Sequence, residues 1–94
     1  MRMGEEQELR IRVRNNLGLH ARPAGKIANE AQRFASSVML ATEGAEADAK
    51  SILDVLTLAA PLGAEVHIRA KGPDADQAVQ ALAQLFIDKF GEDK

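Results

Sequence analysis

The sequence has no cysteine, no tryptophan and no tyrosine, and only three phenylalanines. Without cysteine there are no disulfides, thiolate zinc sites or thiol nucleophiles, which fits a reducing compartment. With so few aromatics, a stacking platform for nucleobases is hard to build. An excess of one charge is missing too. Twelve Lys and Arg stand against fourteen Asp and Glu, a formal net charge of -2, so no global basic field recruits nucleic acid or an anionic membrane. No apolar run approaches the roughly 18 residues of a membrane span. The amino end, "MRMGEEQE", lacks the apolar core of a signal peptide. The expectation is a soluble cytoplasmic protein.

No repeat, linker or low-complexity tract divides the 94 residues, so one domain over 1–94 is expected. "LRIRVR" (9–14) alternates, with Leu9, Ile11 and Val13 on one face and Arg10, Arg12 and Arg14 on the other, as a half-buried strand would. From Ala21 to about Arg33 the apolar positions Ala24, Ile27, Ala28 and Ala31 have helical spacing. Pro23 suits the first turn of that helix. "SVMLAT" (37–42) reads as a second strand, with Val38 and Leu40 inward. A turn at Gly44 then leads into a short third strand. Ser51 is the expected N-cap of a short helix, "ILDVLTL", apolar on nearly every side and ended by Pro61 and Gly63. "AEVHIRAKG" (64–72) alternates again, with Val66, Ile68 and Ala70 inward. The last helix opens with Asp74 as N-cap and Gln77 as its capping-box partner, and buries Ala78, Val79, Leu82, Leu85 and Phe86, with Phe90 near its end. The order β-α-β-β-α-β-α predicts an α+β fold: one sheet with three helices on one face.

"LGLHARPAG" (17–25) carries the chemistry. Gly18 permits a tight approach to the helix that follows. His20 falls at or just before its N-cap, where the first N–H groups lack partners and the helix dipole favours an anion. Arg22 adds a fork of donors suited to phosphate oxygens. Imidazole is substantially neutral, hence nucleophilic, near pH 7. On these residues alone two readings stand: a capping or surface histidine, or a histidine that itself carries an anion.

"GLHARPA" (18–24) resembles the active-site signature of the HPr family, the histidine-containing phosphocarriers of the phosphoenolpyruvate-dependent phosphotransferase system. "AKSILDVLTL" and "GAEVHIRAKG" resemble the second helix and last strand of the same family, so the likeness covers about residues 8–90. It implies an open-faced β-sandwich, a four-stranded antiparallel sheet with three helices on one side. It implies His20 as the residue phosphorylated at Nδ1 and Arg22 as the group that stabilises the phosphoryl. It also implies Ser51 as a regulatory phosphorylation site for an HPr kinase/phosphorylase, and Ile52, Leu53, Lys50 and Ala21 as partner-binding residues. The partners so implied are Enzyme I as donor and a IIA-type acceptor. The protein would then be a relay intermediate rather than a stand-alone catalyst, monomeric, with no cofactor and no metal. Ile52 is expected as the exposed docking anchor with Leu53 partly exposed, near His20 because both helix starts would share one end of the fold. The ending "ALAQLFIDKFGEDK" resembles that of the nitrogen-related branch, often called NPr, and Asp54 departs from the lysine or glycine common at that place in the sugar-transport branch, so both branches stay open.

A different class of function is a small nucleic-acid-binding module that uses Arg10, Arg12, Arg14, Arg69 and Lys71 on the open sheet face. The missing aromatics and the acidic balance oppose it. His67, on the same face between Glu65 and Arg69, reads as an ordinary surface residue. Neither histidine has a carboxylate at metal-ligand spacing. There is no P-loop or carboxylate pair for a kinase or phosphatase.

Overall fold

A computed structural model describes residues 5–94. The chain runs β1 (Glu6–Arg12), α1 (Ala21–Ala31), β2 (Ser37–Thr42), β3 (Ala45–Asp48), α2 (Ile52–Thr57), β4 (Glu65–Lys71) and α3 (Ala75–Ile87), followed by a single 3₁₀ turn at Lys89–Gly91. The strands form one antiparallel sheet in the order β1-β4-β2-β3. The helices cover one face, and the alternating residues Val38, Leu40, Val66, Ile68 and Ala70 are buried beneath them. Ala24, Ile27, Ala28 and Ala31 of α1 and Ala78, Val79, Leu82 and Phe86 of α3 complete the core. The expected order and layering are observed.

Four local expectations change. First, β1 begins at Glu6 and ends at Arg12 rather than spanning 9–14. Its polar start is paired, with Glu6 opposite Lys71 and Glu8 opposite Arg69, and such cross-strand charge pairs support a strand that hydrophobicity does not mark. Second, α2 stops at Thr57, before Pro61. Leu58 caps it and Ala59 takes a left-handed φ of 48°.

Third, Asp74 sits at the N-cap of α3 but its carboxylate makes no cap bond, and Gln77 is not its partner. Oδ1 accepts from the Ser36 amide (2.9 Å) and hydroxyl (2.5 Å), and Oδ2 from the Ala35 amide (3.0 Å). The Ser36 hydroxyl, with these amides, holds the Asp74 carboxyl below the usual range. Asp74 thus ties the α1–β2 connection to the start of α3. Fourth, Phe90 is not on the α3 stripe, and Leu85 is only partly buried. Lys89 and Phe90 both adopt left-handed backbone (φ 53° and 55°), which folds the chain back and buries the Phe90 ring edge-to-face on Phe86, centroids 4.9 Å apart.

The outer sheet face is not a basic patch. Lys71 lies across from Glu6, Arg69 from Glu8, and Arg12 from Glu65, while Arg69 also pairs with Glu46 of β3. Arg14 lies beyond the strand and donates to the Ile87 carbonyl. Alternating charge cancels the field that phosphate binding requires. His67 lies on this face, half-buried, its ring nitrogens 3.9 Å from Glu8 and 3.7 Å from Glu65.

Candidate functional site

The segment before α1 is held by its backbone. Gly18 has φ 68°, and a Cβ there would lie 2.3 Å from the Ala60 carbonyl oxygen. Only glycine meets both conditions. Next to it, the Leu19 amide donates to that same carbonyl (3.0 Å) and the Leu19 side chain is buried. Asn15, fully buried, donates from Nδ2 to the Gly18 carbonyl (2.8 Å). These contacts deliver His20 to the N-cap of α1 in extended conformation, and Pro23 tucks into the buried side of the first turn.

His20 makes no side-chain cap bond. Its Nε2 lies 2.7 Å from Oε2 of Glu92, in the chain's final residues. Oε1 of Glu92 accepts from Asn15 Nδ2 (3.0 Å). Burial raises the Glu92 carboxyl, but the hydrogen bonds from His20 and Asn15, with the positive fields of His20 and Arg22, outweigh it and hold it below its usual range. An ionised carboxylate can only accept, so the proton between the two groups resides on Nε2. Among the described residues Nδ1 takes no hydrogen bond, and the side chain of Arg22 makes no hydrogen bond or ion pair. Ala21 and Arg22 are exposed in the first turn, beside a cleft of about 490 Å³ that Leu17, His20, Arg22 and Glu92 line. The tail wall of this cleft is fastened at three further points: Phe90 in the core, the Lys26 ammonium on the Phe90 carbonyl (2.5 Å), and the Asn16 amide on the Lys94 carbonyl (3.0 Å).

The other predicted residues lie elsewhere. Ser51 is the N-cap of α2, its hydroxyl accepting from the Asp54 amide (3.2 Å) as expected. The two helix starts do not share an end, however. Lys50 takes a bond from Gln32, the C-cap of α1, on its carbonyl, and its ammonium donates to the Phe34 carbonyl just beyond. Gly18 and Leu19, by contrast, abut Ala60, past the end of α2. The helices therefore run antiparallel, and about 16 Å of α1, eleven residues at 1.5 Å each, separates His20 from the Ser51 end. Lys50 is engaged with backbone rather than free. Leu53 is the more exposed of the pair, 75% against 44% for Ile52, the reverse of the expected order.

A four-stranded antiparallel sheet under three helices, with a histidine heading the first helix, defines an open-faced β-sandwich of the phosphocarrier type. A family model described as "PTS HPr component phosphorylation site" matches residues 7–88. The Xylella fastidiosa (Temecula1) phosphocarrier protein HPr is 43% identical over 86 residues, 92% of this chain and 97% of the relative. The Proteus mirabilis phosphocarrier protein NPr is 40% identical over 88 residues, 93% of this chain and 98% of the relative. The crystal structure of HPr from Thermoanaerobacter tengcongensis superposes with a TM-score of 0.89 at 35% identity, covering 94% of this chain and 99% of that one. The chain belongs to the HPr family of phosphocarriers of the phosphotransferase system.

Proposed function

We propose that His20 Nδ1 accepts a phosphoryl group from phosphorylated Enzyme I and yields it to a IIA-type acceptor. In each transfer a nitrogen lone pair or the acceptor's nucleophile attacks phosphorus, and the departing group keeps the electron pair of the broken bond. The observation that carries this reading is the state of the His20 ring, with Nε2 engaged by Glu92 and Nδ1 free at the start of α1. The unpaired Arg22 guanidinium and the first amides of α1 supply charge and donors for the phosphoryl oxygens. The residues form no turnover machine of their own; the protein acts as a monomeric cytoplasmic relay between partners.

Docking runs along the strip that α1 and α2 share, from Leu17 and Ala21 at the His20 end to Ile52 and Leu53 at the other, with Lys50 at its margin. Leu17 and Leu53 are the most exposed large apolar side chains described, at 74% and 75%, and exposed apolar residues of this kind suit a small, fast-exchanging interface. Ser51 is the site at which an HPr kinase/phosphorylase would add a regulatory phosphate.

Incubation with phosphoenolpyruvate and Enzyme I of the sugar or nitrogen type, followed by intact mass, tests the assignment. One phosphoryl group is expected, labile in acid, stable in alkali and absent from His20→Ala. Uptake of an acid-labile group by His20→Ala would overturn it.

A further inference from the structure

β1 is the outermost strand of the sheet, and among the described residues nothing pairs with its outer side. Its two ends fix which backbone groups face outward. The Gly72 amide donates to the Glu5 carbonyl (2.9 Å) and the Val13 amide to the Ala64 carbonyl (2.9 Å), on the register that sets Gln7 opposite Ala70 and Leu9 opposite Ile68. Hydrogen-bonded pairs alternate along an antiparallel ladder, so the odd-numbered residues of β1 bond to β4. The amides and carbonyls of Glu6, Glu8, Arg10 and Arg12 therefore point away from the sheet. Their side chains are exposed on the outer face, while Gln7, Leu9 and Ile11 are half-buried on the helix side. The strand is seven residues long, with no proline and an unbroken register against β4. Proteins commonly blunt such an edge with proline, a bulge or charge. Only charge is present here, in the order Glu, Glu, Arg, Arg.

That order suits one partner, a second copy of β1. Antiparallel pairing of the two strands brings the outward amides and carbonyls together only when even positions face even positions. Centred on Leu9, it sets Glu6 against Arg12 of the second copy and Glu8 against Arg10 of the second copy, and the same again in reverse. Opposite charges directly across a ladder are favourable and like charges unfavourable. A slip of two residues in one direction sets Glu8 against its own counterpart, and in the other Arg10 against its own, so charge selects a single register. Leu9 meets its counterpart on the two-fold axis and adds apolar contact on the helix side. Within one chain Glu6 and Arg10 make no hydrogen bond or ion pair among the described residues. The opposite edge has no such pattern: β3 is four residues long and presents Glu46 and Asp48, which would repel a second β3. We infer that the protein forms a weak, reversible two-fold dimer in which the β1 strands of two copies pair antiparallel about Leu9 into one continuous sheet. This dimer stands in equilibrium with the monomer and is independent of the phosphocarrier reading. It leaves the docking strip open, because α3 packs over β1 while α2 packs on β3, at the far edge. A single strand pair is a small interface of the transient class, with Kd on the order of 1 mM, so about half of the chains are paired at a total of about 1 mM.

Charge exchange tests the pairing and its register together. Glu8→Arg sets arginine against Arg10 in a dimer of that variant, and Arg10→Glu sets glutamate against Glu8. Each variant alone should be monomeric. Mixed in equal amounts, they restore a Glu–Arg pair at every position. The readouts are NMR translational diffusion and amide hydrogen exchange on the full chain at about 1 mM and at a tenth of it. Concentrated wild type should diffuse more slowly than dilute wild type and gain protection at the amides of positions 6, 8, 10 and 12. Both effects should vanish in either variant, return in the mixture, and weaken in high salt. Circular dichroism checks folding, since Glu8→Arg meets Arg69 in its own sheet; Glu6→Arg with Arg12→Glu is a second complementary pair for the same experiment. Wild type that is monomeric at about 1 mM, variants that self-associate as wild type does, or mixtures that do not associate overturn the inference. So does a dimer that survives dilution for hours, because whole strands would then have changed places instead of meeting edge to edge.

Discussion

Replacing Phe90 by alanine tests whether the returning tail is part of the fold. The Phe90 ring is 1% exposed and meets Phe86 edge-to-face at 4.9 Å and 63°. Truncation of a buried phenylalanine costs about 3–5 kcal/mol, of which the aromatic pair accounts for roughly 0.5–1.5. Four described residues, 91–94, follow Phe90, so this segment can lift away instead of enclosing a cavity. That places the cost at the lower end, about 3 kcal/mol. The left-handed backbone at position 90 does not change the balance, because alanine is no better suited to it than phenylalanine. For a domain of this size each kcal/mol moves Tm by about 4–8 °C, so Phe90→Ala should melt at least about 12 °C below wild type. Thermal and urea unfolding followed by circular dichroism measure this directly. Glu92 lies two residues further on, so the same variant should lose the protected His20 Nε2–H signal in NMR even at temperatures where it is folded. A Tm within about 3 °C of wild type would refute the packing argument, since no buried ring can be removed from a close-packed core at so small a cost.

Arg22 is exposed and unpaired, so Arg22→Ala should leave stability within about 0.5 kcal/mol. A hydrogen bond to a charged group contributes roughly 1.5–3 kcal/mol, so phosphoryl transfer should slow by about one to two orders of magnitude at 1.4 kcal/mol per tenfold; stopped-flow transfer at wild-type rates would remove Arg22 from the role. On α2, Leu53→Glu should weaken Enzyme I binding by about tenfold or more in titration calorimetry, the equivalent of losing one buried leucine, and Ile52→Glu by less, following their exposures. Ser51→Asp should weaken binding while leaving the fold and the transfer rate at saturating Enzyme I unchanged; a slower saturated rate would contradict the placement of Ser51 far from His20.

Much of the fold is legible from period alone. β2 and β4 alternate, α1 and α3 repeat at helical spacing, and the inward sets are buried apart from Leu85, which is partly so. At the site, Gly18, His20 and Arg22 stand out because residue type and local order carry their meaning: a glycine where a Cβ has no room, a histidine at an N-cap, an arginine in the first turn. The start of β1 is not legible, since Glu6 and Glu8 signal a strand only through Lys71 and Arg69, over sixty residues away. Asp74 misleads for a similar reason. Its local pattern is that of a capping box, yet the amides of Ala35 and Ser36 and the Ser36 hydroxyl converge on the carboxylate and displace the local bond.

Glu92 is the larger omission, and its concealment is physical. "GEDK" has the composition of a solvated acidic end. The turn that brings it back uses Lys89 and Phe90 in left-handed conformation, where glycine or asparagine would be the readable signal. Phe90 itself is the one local hint, an apolar residue placed past the α3 stripe and just before a glycine. The direction of α2 is hidden in the same way, because Ser51 caps its helix identically whichever end of α1 it faces. Its direction matters for regulation. With about 16 Å of α1 between them, and charges screened over roughly 8 Å at physiological ionic strength, a phosphate on Ser51 has little direct field at His20. It meets the exposed Ile52 and Leu53 first. On the proposed reading, a phosphate at Ser51 would act on whether a partner docks, and the chemistry at His20 would rest with Arg22 and the start of α1.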